Sequence, residues 1–177
     1  MRAAILAGAA LAAIATVPAH AEVKWISETG FRLENRATVA ATPDKVYAAL
    51  GQIGAWWDSA HTYSGKAGNM TLELKPGGCF CESLEKGGGV EHGRVVMARP
   101  GQVLRLETAL GPLQDEGVSG VLTFTIKPAE AGGAEVIQTY NVGGVRADMM
   151  KNTLLIDRVV GSQLIRFKTF VETGKPE

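Results

Sequence analysis

Hydrophobic and polar residues alternate in short runs along most of the chain, which is the pattern of half-buried β-strands. The alternation is clearest at 118–127, where Leu122 and Phe124 are predicted to face a core. Short glycine clusters separate the runs, as the turns of an antiparallel sheet require. The predicted strands are 31–40, 70–74, 79–84, 90–98, 103–109, 118–127 and 135–142.

Three segments depart from this alternation and predict helices. Thr42-Pro43-Asp44 supplies an N-cap hydroxyl, a proline and an acid, so a short helix is expected to begin there. A second short helical segment is expected to carry Trp56 and Trp57. From 146 to 173 the apolar residues recur at helical spacings, which predicts one long amphipathic helix of ~40 Å with Asp157 on its solvent face.

The first 21 residues have the pattern of a secretory signal peptide. A basic start precedes an apolar run, and Ala19 and Ala21 are small enough for signal peptidase, so cleavage is expected after Ala21. An uncleaved anchor is the alternative, weakened because a run of about 15 apolar residues is short for a membrane span. The prediction is a domain at 22–177 that is periplasmic or secreted, with no stable membrane insertion after cleavage.

Composition restricts the partners. The 18 basic and 18 acidic side chains give a net charge of zero, which argues against a nucleic-acid surface. A hydrophobic fraction of 46% supports one sizeable core, and 177 residues suit one domain. The sequence contains no phosphate loop, dinucleotide fingerprint, nucleophile elbow or zinc-binding His-Glu-x-x-His helix. No cofactor is therefore predicted, and the residue-level case for an enzyme is thin.

The order of predicted elements, together with several short motifs, resembles the helix-grip fold of the START-like or SRPBCC superfamily. The most similar branch contains the Hsp90 ATPase activator C-terminal domain and the polyketide cyclases. The motifs are the run from Thr42 to Leu50, Trp56-Trp57, Pro76-Gly77-Gly78, Gly93-Arg94-Val95-Val96 and the run from Ala98 to Leu106. The resemblance extends over nearly all of the predicted mature chain.

The resemblance implies an α+β domain in which a curved antiparallel sheet wraps around a long C-terminal helix. A cavity between sheet and helix would hold a small hydrophobic or amphipathic molecule, and catalysis is the exception in this superfamily. Relatives of the Hsp90 activator are cytosolic, so Hsp90 is not expected as a partner of an exported chain. The expected ligand-binding residues are Trp56, Trp57, Phe80, Glu82, His92, Leu122, Phe124, Tyr140, Ile156, Val160 and Leu164.

Glu82 and His92 are the candidate catalytic residues. They flank a glycine-rich turn, and a hairpin with Glu82 opposite His92 would place both on one sheet face, together with Arg94. A buried carboxylate would favour and orient an imidazolium, as a general base or a ligand-binding group needs. This pair supports the alternative of a cyclase-like or hydrolytic enzyme. An ordinary cross-strand polar pair is the plainer interpretation, and a slip of one residue would separate the two side chains.

Cys79 and Cys81 lie two residues apart on one predicted strand, with α-carbons about 6.6 Å apart, near the upper end of disulfide reach. Three interpretations stay open. The cysteines are small buried residues, a redox-active disulfide, or soft ligands for zinc or copper(I) with His61 or His92 completing the site. His61 follows the tryptophan pair in a predicted loop and is interpreted first as a surface residue.

Overall fold

A single eight-stranded antiparallel sheet forms most of the domain in the computed structural model, which describes residues 20–177. The strands are β1 (His20–Ile26), β2 (Gly30–Val39), β3 (Met70–Leu72), β4 (Cys79–Ser83), β5 (Gly89–Arg99), β6 (Val103–Thr108), β7 (Ser119–Pro128) and β8 (Ala134–Gly143). Their order across the sheet is β1-β2-β8-β7-β6-β5-β4-β3.

All seven predicted strands are confirmed, with bounds that differ by one or two residues. The edge strand β1 is an addition to the predicted strands, although Val23 and Trp25 alternate there with Glu22 and Lys24. It pairs with β2 from His20 onward, so it includes the position of the predicted cleavage after Ala21. Residues 1–19 of the predicted signal peptide lie outside the described residues, and its cleavage stays a prediction.

In the described part of the chain, four α-helices accompany the sheet: α1 (Pro43–Leu50), α2 (Ile53–Trp56), α3 (Ala147–Met150) and α4 (Thr153–Thr173). The cap of α1 is as predicted, since Thr42 Oγ1 accepts a hydrogen bond from Lys45 N. The prediction of one continuous helix from 146 to 173 is wrong. Asn152 N donates to the carbonyl of Met149, three residues back, and this tighter turn separates α3 from α4. The remaining 21-residue helix is ~32 Å long.

The sheet curves around the helices, and irregular register accompanies the curvature. Register shifts occur in the β1–β2, β4–β5 and β5–β6 pairs. Each extra residue bends its strand and increases the local twist. Side chains of the inner face form one core with α1, α2 and α4, and the largest buried members include Trp56, Tyr140, Phe31, Phe80, Phe167, Leu104, Leu106 and Leu164. This is the α+β helix-grip architecture.

Within residues 20–177, none of the helices is both long enough and apolar enough to cross a membrane.

Candidate ligand-binding cleft

A cleft of about 620 Å³ opens between the N-terminal half of α4 and the N-terminal part of β5. Two loops complete its wall: the segment after α2, which includes a 3-10 turn at Ser59–His61, and the 3-10 turn at Gly111–Glu116. The lining residues are Trp57, His61, Thr62, Tyr63, His92, Leu110, Gly111, Pro112, Asp115, Asn152, Leu155, Ile156, Val159 and Val160. The cleft therefore lies at the N-terminal end of α4, between this helix and the sheet.

The α4 side of the cleft is apolar, and the remaining lining is mixed. The α4 side presents one stripe, Leu155, Ile156, Val159 and Val160, in which Leu155 is 57% exposed. The remaining lining combines the apolar side chains of Trp57, Leu110 and Pro112 with the polar side chains of His61, Tyr63, His92 and Asp115. The cleft is thus mostly apolar with a few polar groups, which suits an amphipathic molecule.

The loop after α2 is held in place by hydrogen bonds to its own backbone and to α4. The indole Nε1 of Trp57 donates to the carbonyl of His61 over 2.9 Å. Asp58 N donates to the side-chain oxygen of Gln163 on α4, also over 2.9 Å, and Gln163 is fully buried. Asp58 Oδ1 accepts from Ala60 N and so caps the 3-10 turn. These bonds present His61, Thr62 and Tyr63 to the cleft.

His92 reaches the cleft because β5 bulges at that residue. Phe80 pairs with Gly93 and Cys81 pairs with Glu91, so His92 has no direct partner on β4. A bulge turns two successive side chains to one face, and here His92 and Gly93 are both buried on the inner face. A Cβ on Gly93 would lie 2.5 Å from the carbonyl oxygen of Glu107, so only glycine fits beside β6.

Neighbouring side chains satisfy the backbone carbonyls of the bulge. Thr108 Oγ1 donates to the carbonyl of His92 over 2.6 Å. Gln114 Nε2 donates to the carbonyl of Glu91 over 2.7 Å. The bulge is therefore fixed both by β6 and by the 3-10 turn that forms the cleft's far wall.

Glu82 and His92 form a buried hydrogen-bonded pair on the inner face. His92 Nε2 lies 2.9 Å from Glu82 Oε2, and the side chains are 5% and 0% exposed. The predicted proximity is thus observed, but the predicted register is wrong. Glu82 is opposite Val90, and the bulge brings His92 back to the same face. For the same reason Arg94, expected beside this pair, lies on the outer face.

Glu82 is held as a carboxylate. Burial raises the pKa of Glu82, but hydrogen bonds from Ser64, Tyr63 and His92 outweigh burial and lower the pKa below its ordinary value. A carboxylate only accepts hydrogen bonds, so His92 Nε2 carries the hydrogen in this pair. The other ring nitrogen, Nδ1, has no hydrogen-bond partner among the described residues and is not enclosed in the core. It is the group that His92 offers to the cleft.

Aromatic rings surround the imidazole. The ring centroid of Phe80 lies 5.0 Å from that of His92, and the ring centroid of Tyr63 lies 5.8 Å away. Phe80 also contacts the indole of Trp57 edge-on at 5.7 Å. This packing fixes the plane of the imidazole from both sides and keeps water from the Glu82 side of the ring.

Tyr140 anchors the far wall of the cleft from within the core. Its hydroxyl accepts from Leu110 N over 3.0 Å and donates to the carbonyl of Thr108 over 3.3 Å. Burial raises the pKa of Tyr140 to about 12, so the hydroxyl keeps its proton. At the surface the hydroxyl of Tyr63 contacts Gln114 Oε1 at 3.1 Å, which ties the two loops together across the cleft.

The expected ligand-binding residues divide into two groups. Trp57, His92, Ile156 and Val160 line the cleft. Glu82 lies directly behind His92, and the other expected residues belong to the core instead: Trp56, Phe80, Leu122, Phe124, Tyr140 and Leu164. Their alternation marks them as buried, but it does not distinguish a packed core from a cavity wall. Both tryptophans are buried, and of the two Trp57 lines the cleft.

Sequence reasoning missed several lining residues on the loops and on α4. Tyr63, Leu110 and Asp115 lie in irregular segments that carry no periodic signal. Leu155 and Val159 lie on α4, and the available signal for them is the helical spacing of its apolar residues. His61, interpreted first as a surface residue, is exposed and lines the cleft.

The two cysteines lie on the outer face of the hairpin formed by β4 and β5. Cys79 and Cys81 form a disulfide, with α-carbons 5.4 Å apart, and both are half-buried. The interpretation as small buried residues is therefore wrong, because strand alternation turns both sulfurs away from the core. His92 faces the opposite side of the sheet and His61 lines the cleft, so neither of these expected metal ligands accompanies the cysteines.

Comparison with solved structures shows the same fold in other proteins. A conserved protein of unknown function from Enterococcus faecalis matches with a TM-score of 0.61 and 11% identity over 88% of this chain and 78% of that chain. An uncharacterized protein from Rhizobium leguminosarum matches with a TM-score of 0.56 and 18% identity over 88% and 98%. A protein of unknown function from Staphylococcus aureus has a TM-score of 0.56 and 17% identity over 82% and 95%.

At these identities the likeness shows the fold alone. No protein-family model matches the chain, and neither does any curated protein. The fold and the cleft together define the chain as a helix-grip domain with an open cleft beside α4.

Proposed function

We propose that this protein is an exported small-molecule binding protein that holds a hydrophobic or amphipathic ligand in the cleft beside α4. The observation that carries the proposal is the partly exposed apolar stripe of α4, which lines the same cleft as His92 of the buried His92–Glu82 pair. The volume of about 620 Å³ lies in the range of small-molecule sites. No nucleic acid or Hsp90 takes part in the proposed function.

The chemistry of the cleft lining sets the orientation of the proposed ligand. Its apolar part lies along Leu155, Ile156 and Val159, where binding removes apolar surface from water. Its polar group meets His92 Nδ1. A neutral imidazole with hydrogen on Nε2 accepts at Nδ1, so a ligand hydroxyl or N–H is the matching group.

Two further parts of the proposal rest on the sequence. The N-terminal pattern, with cleavage after Ala21, supports a periplasmic or secreted location. The resemblance to the branch of the Hsp90 activator and the polyketide cyclases supports a ligand-binding role in an SRPBCC-type domain.

Two neighbouring leucines on α4 provide the test. Leu155 lines the cleft and is 57% exposed, whereas Leu154 is 63% exposed and points elsewhere. The fluorescent amphiphile 1-anilinonaphthalene-8-sulfonate is titrated into the protein. Leu155→Lys is expected to weaken binding by about tenfold, because one leucine contact is worth roughly 1–2 kcal/mol, while Leu154→Lys leaves binding unchanged. Equal effects of the two substitutions would contradict binding in this cleft.

A cyclase-like or hydrolytic enzyme is the second candidate, favoured by the free Nδ1 of a carboxylate-backed histidine. In that role Nδ1 removes a proton from a substrate or from water, and Glu82 stabilises the imidazolium that forms. A panel of activated esters is tested for turnover. His92→Gln is expected to abolish turnover while the fold, followed by circular dichroism, is retained. Absence of turnover by the wild type, with binding intact, leaves the binding role alone.

A further inference from the structure

Three potential metal ligands meet on the outer face of the β4–β5 hairpin, away from the cleft. The sulfurs of Cys79 and Cys81 and a carboxylate oxygen of Glu91 lie within 4.8 Å of one another. Cys81 and Glu91 are direct cross-strand partners, and Cys79 is the next outward residue on β4. The bulge that turns His92 inward also keeps Glu91 on this outer face. The sheet itself separates the cluster from the ligand-binding cleft.

The disulfide between the two cysteines is poorly suited to a stabilising role. It joins residues only two positions apart, and a bridge stabilises mainly by closing a long loop in the unfolded chain. Both residues already lie in β4, which β3 and β5 hold by hydrogen bonds on both sides. The bridge therefore constrains backbone that the sheet has already fixed, and its chemistry is the better explanation for it.

The disulfide is accessible from solvent, and it lies beside both a cationic and an anionic side chain. Both cysteines are half-buried, so an external thiol can reach a sulfur atom. Arg94 lies directly opposite Cys79, with 51% of its side chain exposed. A cationic neighbour favours the thiolate, the form that binds metals, whereas the carboxylate of Glu91 opposes it until a cation is bound between them. At present Arg94 is paired with Glu91, which would have to turn from the guanidinium to a bound cation.

We propose that Cys79 and Cys81 are a reversible redox couple whose reduced form binds a thiophilic cation, such as Zn²⁺, together with Glu91. A dithiol reductant gives two electrons and two protons to the bridge and becomes a disulfide itself. The cation then displaces both thiol protons to solvent and takes two thiolate sulfurs and one carboxylate oxygen. The fourth tetrahedral position is left to water.

The oxidised and reduced forms of one protein give the first test. The folded protein is treated with dithiothreitol, desalted without oxygen and titrated with Zn²⁺ against a chromophoric chelator. Intact mass is expected to show a gain of two hydrogen atoms, and circular dichroism an unchanged fold. The reduced protein is expected to bind one equivalent of Zn²⁺, at least about a hundredfold more tightly than the oxidised protein, because thiolates are the principal ligands. Equal affinities, or a bridge that resists dithiothreitol until the protein unfolds, would overturn the proposal.

Matched variants test the ligand set. Cys79→Ser and Cys81→Ser are each expected to abolish the tight Zn²⁺ binding of the reduced form. Glu91→Gln is expected to weaken it by about tenfold, through loss of a charged oxygen ligand. Glu107→Gln is the control, because Glu107 is an exposed acid on the neighbouring strand β6, opposite Arg94, and is not part of the cluster. Equal affinities of Glu91→Gln and Glu107→Gln would remove Glu91 from the site and overturn the proposed ligand set.

Discussion

The two faces of the β4–β5 hairpin differ in chemistry although the same two strands build both. On the inner face, Glu82 and His92 are 0% and 5% exposed, and Glu82 accepts hydrogen bonds from His92, Tyr63 and Ser64. On the outer face, the ion pair of Glu91 and Arg94 is about half exposed, with 46% and 51% of the side chains accessible. One position in β5, the bulge at His92, separates the two environments.

The comparison shows that burial determines how much the loss of one partner of a charged pair changes the free energy of unfolding. When one partner of a buried charged pair is removed, the other partner stays buried and water does not replace the lost hydrogen bond. The free energy of unfolding then falls by several kcal/mol. An exposed pair exchanges one solvated arrangement for another and is worth about 0–1 kcal/mol. The inner pair should therefore contribute more to the free energy of unfolding than the outer pair does.

Removal of the two glutamates tests this directly and gives the largest expected effect. Glu82→Ala leaves His92 and two backbone N–H groups without an acceptor, and is expected to lower the free energy of unfolding by about 3–5 kcal/mol. Glu91→Ala is expected to cost less than about 1 kcal/mol. Urea titration followed by circular dichroism measures both. Similar losses for the two variants would show that burial does not distinguish the faces.

The bulge itself is the next target. In Gly93→Ala the new Cβ would lie 2.5 Å from the Glu107 carbonyl oxygen and 2.7 Å from the Thr108 Cβ, so β5 must move away from β6. We expect a loss of about 2 kcal/mol or more, together with weaker binding of the fluorescent amphiphile as His92 shifts.

Gly143→Ala is the control for this substitution, because a Cβ at Gly143 in β8 would meet nothing within 4 Å. If Gly93→Ala is no more destabilising than Gly143→Ala, the bulge does not hold His92 in the cleft.

The pH dependence of the free energy of unfolding tests the inner pair through a smaller effect than the substitutions above. The pKa of Glu82 is lowered in the folded state from 4.5, so its stabilising contribution is complete above that value and is lost as the pH falls through the folded-state pKa. The wild type should exceed Glu82→Gln in stability by about 1–3 kcal/mol at pH 7, and the two should converge in acid. A constant difference down to pH 2 would contradict this.

Most of the fold, but less of the site, was predictable from the sequence. Alternation located seven strands, and Thr42-Pro43-Asp44 located α1, because these signals are local. The face that each residue presents depends on register, which local signals do not contain. Because of a single bulge, Glu82 and His92 are in contact as predicted, although Val90 and not His92 is the residue opposite Glu82. The same bulge places Arg94 on the outer face.

The cleft was harder to predict than the core because its walls come from segments distant in the chain. Tyr63 and Asp115 belong to two loops that meet only after the sheet has formed. Leu122 and Phe124 are as apolar as the residues of the cleft wall, and only packing shows that they fill the core. Helical periodicity likewise misplaced Asp157, predicted on the solvent face of the long helix and observed 9% exposed.

Asp157 extends the comparison to a buried acid without donors. Its Oδ1 has no hydrogen-bond partner among the described residues, and burial raises the pKa of Asp157 above 3.8. Burial without hydrogen-bond donors thus raises the pKa of Asp157, whereas the donors around Glu82 lower the pKa of Glu82.

Because the folded-state pKa of Asp157 is raised, the wild type loses stability as the pH rises from about the unfolded value of 3.8 to the folded-state pKa, and the loss then stays constant. Asp157→Asn removes this penalty and is expected to raise the free energy of unfolding by about 1 kcal/mol at pH 7. The gain should disappear near pH 3, where the wild-type carboxyl is neutral in both states. Thermal unfolding of both proteins at pH 3 and pH 7 measures it, and a destabilising Asp157→Asn at pH 7 would mean that the carboxylate serves a partner, a bound ligand included.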